Sequence, residues 1–124
     1  MPIIVCETHS QLAADTKARL AKEITDGFHD VIKSPLELIS VVFHDLTPEN
    51  TYRAGLSSDD ETLIFCHVRA GRTDGALLRL LERVSSIWSE VTGDPEDKIE
   101  MGICQYPAKF TMRGGVRLPE PPIV

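Results

Sequence analysis

Two groups of residues in this sequence could do chemistry. The first is Pro2, whose ring nitrogen becomes a secondary amine at the N-terminus once Met1 is removed. A free α-amino group titrates at about pH 8, and desolvation or a nearby cation lowers that value by disfavouring the ammonium form. Such a nitrogen can be a general base near neutrality, an acid if its pKa stays high, or a nucleophile toward a carbonyl. The sequence leaves these three roles open. The second group is His67-Val68-Arg69-Ala70-Gly71-Arg72, where two arginines three positions apart close an apolar run. Planar guanidinium forks at the carboxyl end of a strand, beside a helix N-terminus, suit a carboxylate, because bidentate donors and the helix dipole both favour an anion. Taken singly, Pro2 marks only methionine removal, and the arginines read as solvated side chains. Together they point to an amine catalyst facing a small carboxylic acid.

The other reactive side chains do not cluster along the chain. Cys6, Cys66 and Cys104 are odd in number, widely separated and set among apolar neighbours, so buried inert thiols are expected rather than disulfides or a zinc site. His9, His29, His44 and His67 form no pair at metal-ligand spacing. No metal and no cofactor are expected.

The elements that must position Pro2 and the arginines come from a repeat. Sliding the sequence by 60 positions lays Ile4 on Ile64, Cys6 on Cys66, Leu20 on Leu80, Ile24 on Val84, Phe28 on Trp88, Val31 on Val91 and Pro35 on Pro95. Each half reads as strand, helix, strand. Pro2 to Glu7 and Thr62 to Val68 are apolar runs of strand length, and strands resume at about Leu38 to His44 and Lys98 to Gln105. Between them, apolar residues recur at helical spacing, with Ser10 as N-cap of the first helix and Thr73-Asp74 opening the second. Ser34-Pro35 and Gly93-Asp94-Pro95 stop the helices. Two right-handed crossover units, joined through the polar segment Thr47 to Glu61, give an α+β fold: a four-stranded sheet with both helices on one face. The other face has no cover within the chain, and strands this apolar call for packing against other subunits.

At 124 residues, 42% hydrophobic and 26% charged, the chain suits a single domain over 1–124, with halves at about 2–46 and 62–106 and a tail over 107–124. The tail, with Gly114-Gly115 and several prolines, reads either as a small hairpin wrapping a neighbour or as a disordered end. A formal charge of -6 offers no net attraction to nucleic acid or an anionic membrane. No apolar run approaches the roughly 20 residues of a membrane span, and no secretory signal is evident, so a cytoplasmic location is expected.

Pro2, the doubled unit, Ile24-Thr25-Asp26 and Arg69-Ala70-Gly71-Arg72 together resemble the tautomerase superfamily, closest to its cis-3-chloroacrylic acid dehalogenase branch. Leu118-Pro119 after Gly114-Gly115 is similar to the C-terminal region of that branch. The resemblance implies a homotrimer with the amino-terminal proline in a pocket at the subunit interfaces and Arg69 and Arg72 holding a substrate carboxylate. It also exposes departures. Gly102 stands where the branch has a tyrosine, Arg113 where it has a water-activating glutamate, and Phe28 or His29 falls near its histidine. An arginine in place of that glutamate would lower the pKa of Pro2 and favour the neutral amine. The expected activity is therefore tautomerisation of a 2-keto or enol carboxylic acid, ahead of hydrolytic dehalogenation or hydration. A non-catalytic trimeric binding scaffold is the remaining alternative.

Overall fold

The computed structural model describes residues 1–124. In chain order the elements are β1 (Ile3–Thr8), α1 (Ala14–Ile32), β2 (Ser40–Asp45), β3 (Tyr52–Arg53), β4 (Leu56–Ser57), β5 (Thr62–Arg69), α2 (Asp74–Thr92), β6 (Ile99–Tyr106), β7 (Met112–Arg113) and β8 (Val116–Arg117). The main sheet has the order β2-β1-β5-β6. β1 runs parallel to β2 and β5 parallel to β6, while β1 and β5 are antiparallel, with Ile3 opposite His67 and Thr8 opposite Thr62. The two parallel units foreseen from the repeat are therefore present and meet along the sheet's centre. Neither helix is long and apolar enough to cross a membrane.

Side-chain alternation decides what each strand buries. Ile4, Cys6, Ile64, Cys66 and Val68 point to the helical face and are fully buried with Leu20, Ile24, Phe28 and Ile32 of α1 and Leu80, Val84 and Trp88 of α2. Each large aliphatic or aromatic side chain in this cluster contributes about 1.5–3 kcal/mol. Residues of the opposite parity, including Ile3, Val42 and Phe65, face outward and remain partly exposed. Cys104 shares that parity and is exposed, unlike Cys6 and Cys66. Its apolar neighbours in sequence lie on the other face of the strand.

The helices obey the 60-residue offset to the residue, but their ends are built differently. Thr73 caps α2, its hydroxyl accepting from the Ala76 amide at 3.2 Å. Its counterpart in α1 is Ala13, which has no side-chain cap. Ser10 is thus not the N-cap: Gln11 takes a positive φ of 51°, and three residues of turn separate Ser10 from the helix. Ser10 instead donates to Asp94, which also receives the Trp88 indole N–H at 3.1 Å. At the other ends, Lys33 and Gly93 both adopt left-handed geometry. Only glycine does so without a steric penalty.

The repeat also runs through the connecting segment and the tail. Residues 48–50 and 108–110 form matching short turns, and the hairpins β3–β4 and β7–β8 are each paired antiparallel. The tail is therefore a hairpin. Beyond it the chain folds back onto its own helix α2, where Val124 O accepts from the Thr73 amide at 3.2 Å and hydroxyl at 2.6 Å.

Candidate active site

β1 begins immediately after Pro2, whose carbonyl accepts from the Ser40 amide at 3.0 Å, so the first residues are fixed to the sheet. Continuing the antiparallel register by one and two positions sets Pro2 beside Val68 and Met1 beside Arg69. With Met1 in place the Pro2 nitrogen is an amide, and the terminal amine is that of Met1. Burial, then the charges of Arg69 and Arg113, push that amine below its ordinary value. The sheet thus gathers Pro2, Arg69 and Arg113 at one end, although the Arg113 side chain is exposed on its hairpin.

Arg69 and Arg72 are not solvated forks. Arg69 is 2% exposed and Arg72 6%. Arg69 Nη1 donates to Pro119 O at 2.6 Å, while Arg72 donates to Arg69 O at 3.0 Å and to Ile32 O, the end of α1, at 3.4 Å. Neither makes an ion pair, and the Nε donor of each is buried without a partner. Burial lowers the pKa of both guanidiniums, and proximity to Arg69 helps bring Arg72 down to about 10. A buried charge with an unmet donor is unfavourable, and an anion relieves both deficits together.

The turn that carries the arginines is held from above. Gly71 has φ 132°, and a Cβ there would come within 3.3 Å of the Pro121 ring. Pro119, Pro121 and Val124 thereby form a strap across the arginine turn. Sequence reasoning missed this strap. Its signal was the prolines after Leu118, which exclude regular structure and suit an extended segment.

The remaining candidates sit elsewhere. His29 is exposed in the last turn of α1, its Nδ1 2.8 Å from Ser34 O, one turn from the Ile32 carbonyl that Arg72 engages. Phe28 is fully buried in the core. Gly102 lies in mid-strand opposite Phe65 and lines a cavity of about 460 Å³ at the opposite end of the sheet, with Thr51, Arg53, Glu61 and Glu100. No surface cavity of the single chain is lined by Pro2, Arg69 or Arg72. By the 60-residue offset, the counterpart of the Gly102 cavity involves Met1, Ile3, Val5, Ser40 to Val42 and Thr111 to Gly114, with Met1 where Glu61 stands in the second half.

Comparison with known proteins follows the same lines. A family model described as Tautomerase enzyme matches residues 3–61, the first unit and its connecting segment. No curated protein sequence matches the chain. Among solved structures, N1, a member of the cis-3-chloroacrylic acid dehalogenase family, is 24% identical with a TM-score of 0.90, over 97% of this chain and 85% of that one. The F6 fused 4-OT wild-type asymmetric trimer is 23% identical with a TM-score of 0.88, over 94% and 95% of the two chains. Pt0534 inactivated by 2-oxo-3-pentynoate is 24% identical with a TM-score of 0.85, over 94% and 96%.

Proposed function

We propose that the chain is a tautomerase-superfamily enzyme, as the family model over residues 3–61 and the shared fold support, and that it is a cofactor-independent tautomerase of small 2-keto or enol carboxylic acids, with Pro2 as the proton-transferring amine. The observation that carries this reading is the pair of buried arginines with unmet donors at the sheet end where the chain begins. Arg69 and Arg72 hold the substrate carboxylate. Loss of Met1 frees the ring nitrogen and vacates the place that Glu61 fills in the second half. The burial, and after it the arginine charges, that depress the Met1 amine then act on Pro2 and favour the neutral base. Pro2 takes a proton from the enol oxygen and returns it to C3, or the reverse. The exposed apolar side chains of the sheet's open face, Ile3, Val42 and Phe65, pack against other copies in a homotrimer.

The test begins with intact mass, to establish loss of Met1. Processed protein should accelerate ketonisation of the enol of phenylpyruvic acid, and 2-oxo-3-pentynoate should add to the Pro2 peptide. A processed chain that does neither overturns the reading. The likeness to N1 supports a second reading, hydrolytic dehalogenation of a short unsaturated acid. Chloride release from 3-chloroacrylate discriminates the two, and with Arg113 in the place of a water-activating carboxylate none is expected.

A further inference from the structure

We propose that Tyr106 donates the hydrogen bond that receives the substrate's enolate oxygen, with His67 holding its hydroxyl in place. This deepens the tautomerase reading and rests on it. Tyr106 closes β6 opposite Arg69, and His67 stands on β5 opposite Ile3 of β1. By strand alternation Tyr106, His67 and Arg69 share the face that carries no helix. The tyrosine reaches back along that face until its hydroxyl lies 2.8 Å from His67 Nδ1, and the rings pack 5.8 Å apart at a 38° tilt. The phenol is thereby drawn over β5, the strand next to the one that Pro2 begins. Both side chains are half-buried.

The donor inventory defines the roles. With hydrogen on His67 Nδ1 the imidazole donates to the phenolic oxygen, and the tyrosine O–H is free to donate outward. When the Pro2 nitrogen takes a proton from C3 of a 2-keto acid, the electron pair of the broken C–H bond moves onto the C2 oxygen. The Tyr106 O–H meets that oxygen by a hydrogen bond, and its own proton stays on the phenol. The arrangement is confined to this end of the molecule: the offset of 60 places Leu46 and Glu7 where Tyr106 and His67 stand. A strand-helix-strand unit therefore forms without this pair; in the first half Glu7 meets His44 of the neighbouring strand instead, at 2.6 Å.

The experiment uses the processed, full-length protein and two probes, oxalate as a mimic of the pyruvate enolate and propionate as a plain carboxylate. Tyr106→Phe should weaken oxalate about tenfold, leave propionate unchanged, and slow ketonisation about 100-fold through kcat with KM retained, as loss of one oxyanion donor does. His67→Asn, whose amide can occupy the Nδ1 position, should keep most of the oxalate preference, and His67→Leu should lose it. A Tyr106→Phe protein that binds both probes and turns over as wild type overturns the role of Tyr106 and leaves the arginine reading standing. Propionate binding indifferent to Arg69→Ala overturns the reading beneath it.

Discussion

At the Pro2 end of the sheet, Arg69, Arg72 and Arg113 gather without an ion pair, whereas at the opposite end the single arginine, Arg53, is held by both Glu61 and Glu100. The repeat makes these ends equivalent: Pro2 corresponds to Thr62, Arg69 to His9, Arg72 to Leu12, Arg113 to Arg53 and Met1 to Glu61. At the Pro2 end the arginines make no ion pair, whereas at the other end Arg53 is neutralised by Glu61 and Glu100 and Lys98 by Asp60. Since the backbone is shared, the chemistry must come from the positions at which the halves diverge. An arginine with a carboxylate already on it has no call for a substrate, while a buried one with an empty donor does.

The strongest break in this comparison is Pro2→Ala, which still permits removal of Met1 but replaces the secondary amine. Ketonisation should fall by about 100- to 10,000-fold, the range for losing a general base, with the fold unchanged by circular dichroism. Arg69→Ala or Arg72→Ala should raise KM by about 10- to 100-fold, since a hydrogen bond to a charged group contributes about 1.5–3 kcal/mol. The mirror substitution Arg53→Ala should leave kcat/KM untouched and act on stability instead. The Arg53 hydrogen bond holds the Glu61 carboxyl below its ordinary pKa, so the pair stabilises the fold above the unfolded carboxylate value and loses that contribution as pH falls through the folded value. Urea titrations should accordingly find Arg53→Ala weaker than wild type at pH 7, with the gap closing in acid.

Smaller effects sharpen the comparison at the helix ends. Ala13→Thr, copying the cap at Thr73, and Lys33→Gly, copying Gly93, should each raise unfolding stability by about 1 kcal/mol. No gain from either would mean that the two units tolerate their ends differently for reasons beyond local geometry.

Much of the fold was legible in the sequence because a repeat at 60 residues fixes both units once one is read. The strands and helices followed from alternation and helical spacing. Other features depended on contacts that no local pattern encodes. Ser10 looked like a cap because serine precedes the helix, yet its hydroxyl is committed to Asp94 across the sequence. The arginines read as exposed forks, yet both are buried, Arg69 tied to Pro119 of the strap and Arg72 to Ile32 at the end of α1. Gly102 is placed by register in the middle of β6 opposite Phe65, two strands away from β1. Tyr106 and His67 are far apart in sequence and meet only because β5 and β6 pair in parallel with Arg69 opposite Tyr106.

The central claim is that burial, together with a cationic end that holds no ion pair, keeps the amine of Pro2 neutral, and a ¹⁵N-proline NMR titration of the processed chain addresses it directly. The account predicts a Pro2 pKa below the ordinary α-amino value of 8.0, rising toward it in Arg69→Ala. A Pro2 that titrates at or above that value, indifferent to Arg69, would contradict it.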